Sequence, residues 1–503
     1  MIVKEKGGGG AGDKKMLVGV VWNCAPELKL LLTALLILFS IITILQFIPA
    51  RFTISAATNL GSCLPAPSPI ATPISSPASP ATKNFSAVER DRVLENGVVK
   101  RGFRGFGSAA YNFVLMSAYR GGYNTFAVTG LASKPLHVFG KPSYVCEWVP
   151  ADVSRDSVSV AGEKILPDWG YGRVYTAVVV NCTFPVPVGD ADAGGKLLIH
   201  AATNGAGDTR FNVTDTFIAM TETPQDFAAF TSVFSSSKPN YDYLYCGSSL
   251  YGDLSPQRVR EWVAYHVRLM GKKSHFVFYD AGGVHPAMME VLRPWMEKGY
   301  VTLQDVKEQE RFDGYYHNQF LILNDCLHRY RFQAKWMFFF DVDEFIFVPK
   351  KNTLKSVLDS FSAYTQFTIE QMPMSNNLCL REDSGKTLRK WGFEKLVYRD
   401  VKRGIRRDRK YAVQPRNVVA TGVHMSQNTV GKTTHKTEGR IMYFHYHGTI
   451  AERREPCRHL VNATALTVDN VPYVMDTTMR GIAGSVKRFE LKTIGSVLQN
   501  TRQ

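Results

Sequence analysis

Cysteine is scarce in this chain of 503 residues: there are eight, widely spaced, and none stands in a Cys-x-x-Cys pair. This excludes a small scaffold built on disulfides and gives no pattern typical of a structural zinc site. Charged residues are moderate at 21% and hydrophobic residues reach 45%, which excludes a disordered or collagen-like chain. The chain is too long for one ordinary core, so we expect at least two folded units.

One stretch lacks charge altogether. Residues 30–48 read LLLTALLILFSIITILQFI, and an apolar run of roughly 20 residues spans a bilayer as a helix. Several lysines precede the run and only Arg51 follows closely, so the positive-inside rule places residues 1–29 in the cytosol. A cleaved signal peptide has a shorter apolar region behind a shorter start. We therefore predict an uncleaved signal anchor with type II topology.

Residues 49–84 are rich in Pro, Ser, Ala and Thr, which predicts an extended stem. A cytosolic tail, anchor, stem and large luminal body are the layout of a Golgi membrane transferase. Oxidation is allowed in that lumen, and we expect Cys146 to pair with Cys182. Past the anchor lie four N-glycosylation sequons, at Asn84, Asn181, Asn212 and Asn462.

Residues 85–238, called the β-domain below, lack any long helical period. Short apolar or alternating runs stand between Gly, Pro and Asp turns and predict strands at 111–120, 124–132, 173–184 and 195–203. We predict a small β-sandwich. Its aromatic residues could stack on sugar rings, although packing in the core or rim explains them equally well. These residues are Trp148, Trp169, Tyr171 and Tyr175.

Residues 239–503, the α/β domain, alternate between strand and helix patterns. The predicted strands are 241–250, 274–283, 300–306 and 336–340, and the predicted helices are 255–271, 286–299 and 318–330. Ser255 is placed as a helix N-cap ahead of Pro256. This alternation predicts a mostly parallel sheet covered by helices, with ligands bound at the carboxyl ends of its strands.

The strongest signal follows the apolar run Trp336–Phe340, which is typical of a strand buried on both faces. The run ends in Asp341-Val342-Asp343-Glu344 before a second apolar strand begins. Two carboxylates at i and i+2 offer oxygen ligands to a divalent cation that bridges a diphosphate. We predict a metal site at Asp341 and Asp343.

FFFDVDEFIFVP, with YCGSSLYG upstream and FHYHGTI downstream, resembles the glycosyltransferase family 92 domain over about residues 240–490. The wider likeness, anchor and β-domain included, is to plant β-1,4-galactan synthases, which build pectic rhamnogalacturonan-I side chains of the cell wall in the Golgi. The resemblance implies a GT-A (Rossmann-like) fold and inverting transfer of galactose from UDP-galactose to the growing end of β-1,4-galactan. It also implies a Mn²⁺ or similar cofactor and a carbohydrate-binding β-domain. We further expect a homodimer.

Two further ligand and catalytic assignments follow from the resemblance. GT-A enzymes commonly use a late histidine as a metal ligand, and His445 fits best, with His447 the alternative; strand positions i and i+2 face one side. One structural and one surface histidine is the other interpretation. Inverting transfer needs a general base, for which Asp383 matches the family motif about 40 residues after Asp343. Glu382 is the alternative, as is a purely structural pairing with arginine.

The donor nucleotide is expected at the end of the first α/β strand, beside the second. The candidate residues are Tyr245, Cys246, Gly247, Ser248, Asp280 and Val342. Asp313 and Gln319 could also face the donor, although a helix cap and a surface amide explain them as well.

Basic residues exceed acidic ones by 60 to 44, giving a formal net charge of +16. The excess is concentrated in residues 386–416, which favours anionic partners. A luminal position argues against nucleic acid. Three interpretations of the run remain. It forms a solvated face, it attracts acidic pectin, or it supplies a cation such as Arg407 or Lys410 to the departing diphosphate.

Two other functions compete with galactose transfer. A pocket for galactose rejects arabinopyranose poorly, because the two differ by one hydroxymethyl group. A glycan-binding Golgi scaffold with a degenerate catalytic domain would have lost the carboxylates at 341, 343, 382 and 383, yet all are present.

Overall fold

The structure is a computed structural model that describes residues 91–107, 112–133, 142–169, 174–189, 194–203, 213–312, 315–403, 409–451 and 453–501. The predicted tail, anchor and stem lie outside these residues. Five candidate residues of the sequence analysis also lie outside the described ranges: Asn84, Tyr171, Asn212, Asp313 and Arg407. Within the described ranges no helix has the length and apolar character needed to cross a bilayer.

The described chain starts with two short paired strands, β1 (Arg92–Val93) and β2 (Val99–Lys100). Eight further strands and one helix complete the β-domain. They are β3 (Arg104–Phe106), β4 (Phe113–Arg120), β5 (Thr125–Ser133), β6 (Pro142–Pro150), β7 (Val158–Ile165), β8 (Tyr175–Thr183), β9 (Gly195–Thr203), β10 (Val213–Glu222) and α1 (Pro224–Ser235).

The eight strands form one antiparallel path, β10-β9-β6-β7-β8-β5-β4-β3. This differs from two separate sheets of a sandwich, because β7 pairs with β6 through its first half and with β8 through its last residues. Alternate side chains of β6 turn inward, among them Tyr144 and Trp148. Cys146 and Cys182 are disulfide-bonded in this core, which confirms the predicted pair.

The α/β domain contains sixteen strands and six helices within its described residues. They are β11 (Tyr241–Leu250), α2 (Pro256–Met270), β12 (Ser274–Asp280), α3 (Pro286–Glu297), β13 (Val301–Asp305), α4 (Gln319–Tyr330), β14 (Ala334–Phe339), β15 (Glu344–Phe347), α5 (Leu354–Ser360), β16 (Gln366–Pro373), β17 (Leu378–Leu380), α6 (Gly392–Lys395), β18 (Tyr398–Asp400), β19 (Lys410–Val413), β20 (Val418–Ala420), β21 (Asn428–Thr429), β22 (Thr433–Thr434), β23 (Met442–His445), β24 (His459–Val461), β25 (Ala465–Val468), β26 (Val471–Met475) and α7 (Arg480–Ile494).

Four parallel strands lie at the centre of the main sheet in the order β13-β12-β11-β14. Strand order 3-2-1-4 is that of doubly wound nucleotide-binding folds, which bind ligands beyond the carboxyl ends of their strands. The sheet continues through β19, β16, β23 and β15. The Ser255 side chain accepts a hydrogen bond from Arg258 N at the start of α2, which confirms the predicted N-cap.

The β-domain and the α/β domain share a core built around α4. Leu131 of β5 belongs to the same buried cluster as Leu323 of α4 and Val277 of β12. At its edge the buried Arg101 guanidinium donates to both Asp325 oxygens, each at 2.7 Å. A further link comes from β2, which pairs in parallel with β13 and so extends the main sheet with residues from the N-terminal side of the β-domain.

Candidate active site

The Asp341-Val342-Asp343 segment forms a tight turn between β14 and β15, at the carboxyl end of a central strand. The indole N–H of Trp262, on α2, donates to the carbonyls of Asp341 (3.2 Å) and Glu344 (2.8 Å). The Glu344 carboxylate in turn accepts from the Asp341 backbone N–H at 2.7 Å. Buried hydrogen bonds of this kind fix the backbone, and the two aspartates are therefore presented in a defined orientation.

Asp343 lies together with His445 and His447, and one possible ligand atom from each falls within 4.8 Å of the others. His445 Nε2 is 3.5 Å from Asp343 Oδ1. The Gly448 backbone N–H donates to Asp343 Oδ2 at 3.1 Å, which leaves Oδ1 toward the histidines. Both predicted histidines thus meet Asp343, rather than one of them alone.

Gln371, on β16, orients His445. Its side-chain amide nitrogen, Nε2, lies 2.5 Å from His445 Nδ1 and donates to it, so the other ring nitrogen is directed at Asp343. With a cation bound at His445 Nε2, rotation of the amide by 180° would let its oxygen accept the Nδ1–H, which is the usual partner of a metal-ligating histidine. Gln371 is reached only by pairing β16 with β23, and no local pattern in the sequence marks it.

Asp341 stands beside this cluster but is engaged elsewhere. Lys410 Nζ donates to its Oδ2 at 2.8 Å, and Gln319 Nε2 donates to its Oδ1 at 3.1 Å. Burial alone would raise the pKa of the Asp341 carboxyl, but the Lys410 charge and hydrogen bond outweigh it and the pKa is lowered. Asp341 is therefore an anion paired with Lys410, outside the group of three ligands at Asp343.

These residues face a cavity of about 590 Å³, called the central cavity. Both predicted metal carboxylates, both histidines, Val342, Lys410 and Gln319 line it. The β-domain contributes Pro167, Asp168 and Trp169, which the sequence did not place near the metal site. The cavity is therefore built from both domains.

Of the four predicted nucleotide residues on β11, Ser248 lines the central cavity, and the other three, which precede it, do not. Tyr245 is fully buried among the aromatic rings of Trp262 and Phe340. Cys246 is disulfide-bonded to Cys326 of α4. A side chain at Gly247 would come within 2.6 Å of the Tyr245 ring, so this glycine is explained by packing.

Asp280 at the end of β12 is likewise explained by the loop that follows. Its Oδ1 accepts from the backbone N–H groups of Gly282 (2.9 Å) and Val284 (3.1 Å), and its Oδ2 accepts from Lys307 Nζ at 3.1 Å. Asp280 is not among the residues that line the central cavity. The structure uses this carboxylate to shape a turn.

Asp383 and Glu382 lie in a 3₁₀ turn, Arg381–Asp383, and neither lines the central cavity. Arg480 Nη1 donates to Asp383 Oδ2 at 2.8 Å, and Lys390 Nζ donates to Oδ1. Burial raises the pKa of the Asp383 carboxyl, but the hydrogen bonds from Arg480 and Lys390 lower it by more. The pKa therefore lies below its ordinary value. Glu382 is exposed and bound to Arg480 at 2.9 Å. This arrangement favours the structural alternative for the pair.

The basic run also resolves into separate contacts. Lys395 is buried against Glu455 at 2.7 Å, Arg399 pairs with Asp476 at 2.9 Å, and Lys410 reaches Asp341. Part of the charge of this run is therefore paired within the fold. Among the described members, Lys410 is the one that lines the central cavity.

The remaining predicted surface residues divide by exposure. Trp148 is buried in the β-domain core and Tyr175 packs against Phe312, whereas Trp169 is 63% exposed. Asn181 is partly exposed on β8, and Asn462 is exposed ahead of β25. Both sequons are thus reachable from solvent.

The chain belongs to glycosyltransferase family 92. The sequence model of that family matches residues 241–481, and several relatives are similar over most of their length. The Arabidopsis thaliana protein named galactan beta-1,4-galactosyltransferase GALS3 is 58% identical over 502 residues, which is 98% of each chain. The Arabidopsis thaliana proteins of the same name designated GALS2 and GALS1 are 56% identical over 98% of each chain and 52% identical over 80% of each chain. A solved structure titled WbbM bifunctional glycosyltransferase is 10% identical, covers 31% of this chain and 26% of its own, and has a TM-score of 0.20.

Proposed function

We propose that the protein transfers galactose from UDP-galactose to the growing end of β-1,4-galactan, with inversion at the anomeric carbon, in a GT-A catalytic domain. The observation that carries the proposal is the Asp343–His445–His447 group beside the Asp341–Lys410 pair, in one cavity at the carboxyl end of β14. The names of the relatives supply the sugar, the acceptor and the linkage. The nucleotide part of the donor rests on the Rossmann-like strand order.

The three grouped residues suit a divalent cation. One carboxylate oxygen and two imidazole nitrogens within 4.8 Å of one another form a mixed oxygen and nitrogen ligand set, which first-row metals such as Mn²⁺ accept. A cation held there would offset the negative charge of a diphosphate leaving group. Gln371 would keep the His445 ring in its ligating orientation.

Lys410 has a separate role from the ligands. It is buried, and its ammonium keeps Asp341 ionised at the turn. An ionised carboxylate beside the donor accepts hydrogen bonds from sugar hydroxyls, which fixes their orientation during transfer. Gln319 holds the other Asp341 oxygen, so the carboxylate cannot rotate freely.

We further propose that the chain works in the Golgi lumen as a type II membrane protein and extends pectic galactan for the cell wall. Three disulfides occur among the described residues, at Cys146–Cys182, Cys246–Cys326 and Cys379–Cys457. Disulfides persist in oxidising compartments, which supports the luminal position. The apolar run at residues 30–48 supplies the anchor.

The test is transfer by the purified full-length chain, in detergent, with Mn²⁺ and a short β-1,4-galacto-oligosaccharide. UDP-galactose, UDP-arabinopyranose and UDP-glucose are compared as donors, and the product is digested with a β-1,4-specific galactanase. We expect elongation with UDP-galactose that a chelator removes. Elongation only with another donor, or a product that the galactanase leaves intact, would contradict the proposal.

A further inference from the structure

The β-domain places an exposed aromatic side chain in the central cavity. Trp169 follows β7 in the connection to β8, is 63% exposed, and lines the same cavity as Asp343. An exposed indole in a concave site offers an apolar face on which a sugar ring can stack. The position is therefore suited to a ligand that has an apolar face.

The fold holds this residue in an uncommon backbone conformation. Trp169 has φ of +54°, a left-handed backbone region that bulky residues seldom adopt because it is strained. The turn is fastened on both sides: Trp169 N donates to the Leu166 carbonyl at 3.2 Å, and buried Asp168 accepts from Ala177 N at 3.1 Å. The indole is thus presented by a rigid turn.

The same turn is seated on the α/β domain. Gly422 is a neighbour of the Pro167 carbonyl: a side-chain carbon added at Gly422 would stand 3.7 Å from that oxygen, in ordinary van der Waals contact. Ala127 and Val179 of the β-domain also pack on Ala420 of β20. Trp169 therefore keeps its place relative to the metal-binding group.

A second aromatic group lines the cavity ahead of α4. Tyr315 and Tyr316 are 43% and 58% exposed. Tyr316, His317 and Asn318 all have positive φ, at +51°, +52° and +53°. Ser249 Oγ donates to the His317 carbonyl at 2.8 Å and so holds this strained segment against the end of β11.

We propose that Trp169, together with Tyr315 and Tyr316, forms the acceptor subsite of the central cavity, and that Trp169 stacks on a galactose ring of the growing chain. The inference rests on the proposed function. One face of β-galactopyranose carries the C3, C4 and C5 hydrogens, and such apolar faces stack on indole rings. The β-domain thereby completes the active site, because it positions the acceptor rather than acting only as a remote glycan anchor.

The experiment compares full-length Trp169→Asn, Trp169→Phe and Val186→Asn. Asparagine tolerates the left-handed backbone and removes the ring, whereas phenylalanine keeps an aromatic face. Val186 is 55% exposed on the β-domain and does not line the cavity, so it is the matched control. For each variant we measure KM for β-1,4-galacto-oligosaccharides, KM for UDP-galactose, inhibition by UDP and thermal unfolding.

We expect Trp169→Asn to raise the acceptor KM by about 3- to 10-fold, Trp169→Phe to recover most of the loss, and Val186→Asn to change nothing. The donor KM and UDP inhibition should stay constant. An unchanged acceptor KM would overturn the subsite, and weaker UDP inhibition would assign the indole to uracil instead.

If the wild-type chain transfers no galactose, the proposed function fails and the subsite is tested by binding alone. Calorimetric titration of the oligosaccharide into wild-type and Trp169→Asn protein then decides it. Weaker binding by the variant supports the subsite, and equal affinity or no binding by the wild type overturns it.

Discussion

Two acidic motifs of the α/β domain look alike in sequence and differ in the structure. Asp341-Val342-Asp343-Glu344 opens onto the central cavity, with two histidines beside Asp343. Arg381-Glu382-Asp383 faces Arg480 and Lys390, which satisfy its carboxylates. The first motif has ligand atoms directed at a cavity, and the second has its charge neutralised within the protein.

The difference follows from the position of each motif in the fold. The first motif ends β14, a central strand of the main sheet, where parallel strands place their functional groups. The second follows β17, which pairs with β24 in a two-stranded sheet away from the main one, and it lies against the start of α7. A carboxylate motif therefore indicates a site only when the edge of the sheet that carries it is also known.

The largest expected effect is at Asp343. Replacing Asp343 with Ala removes the carboxylate from the group of three ligands, and several kcal/mol of charge stabilisation is lost with the cation. We expect kcat to fall by about 10³-fold, with little change in the unfolding temperature. Asp253→Ala is the control, because this exposed carboxylate lies outside the cavity. Turnover near the wild-type level in Asp343→Ala would contradict the assignment of the first motif to the active site.

The next effect is at Gln371. Gln371→Leu leaves His445 Nδ1 without its partner, and loss of such a partner typically costs about 10–100-fold in metal affinity. We expect the Mn²⁺ concentration for half-maximal activity to rise by that factor, while excess Mn²⁺ restores most of kcat. Gln371→Glu supplies a carboxylate that can accept the Nδ1–H of a metal-bound His445, and it should retain metal affinity. Equal metal affinity in Gln371→Leu would show that His445 is oriented by other contacts.

Asp383→Asn sharpens the second half of the comparison. Because Asp383 is paired with Arg480 and Lys390, we expect the free energy of unfolding to fall by about 2 kcal/mol and kcat to change by less than about 3-fold. A general base at this position would instead cost about 10²–10⁴ in rate, so a large kcat loss with intact stability would restore the catalytic assignment. Steady-state kinetics and denaturant unfolding separate the two outcomes.

The same substitution has a pH signature. The folded-state pKa of Asp383 is lowered, so its ion pairs contribute stability above the unfolded-state pKa of about 3.9, and that stability is lost as pH falls through the lower folded-state value. Asp383→Asn should therefore flatten the acid side of the stability profile. An identical acid limb in wild type and variant would argue against the pairing.

The smallest effect is expected at Glu382. Its side chain is 67% exposed and makes one ion pair with Arg480, and exposed pairs contribute little. Glu382→Gln should change the free energy of unfolding by less than about 0.5 kcal/mol and leave turnover unaffected. A severe loss of turnover would make Glu382 a candidate for the base.

Sequence reasoning located the elements whose signals are local. The central strands and helices from 241 to 347 lie within a few residues of their predicted bounds, and the Ser255 cap is present. Contacts between segments distant in sequence could not be predicted in this way. Gln371 meets His445 because β16 pairs with β23, and Cys246 is disulfide-bonded to Cys326. Trp169 was considered as a sugar contact of the β-domain, but only the packing of the two domains places it in the same cavity as Asp343.

The pairing of β2 with β13 sets the order in which the protein can fold. Val99 emerges from the ribosome about 200 residues before its partner Gln304, and the whole β-domain is synthesised between them. Domains generally fold as units during synthesis, and long-range pairing is slow because the chain must first close a large loop. β2 can therefore pair with β13, and so cover that edge of the main sheet, only after the β-domain has been synthesised. A truncated chain that begins after the β-domain would expose that edge for intermolecular strand pairing.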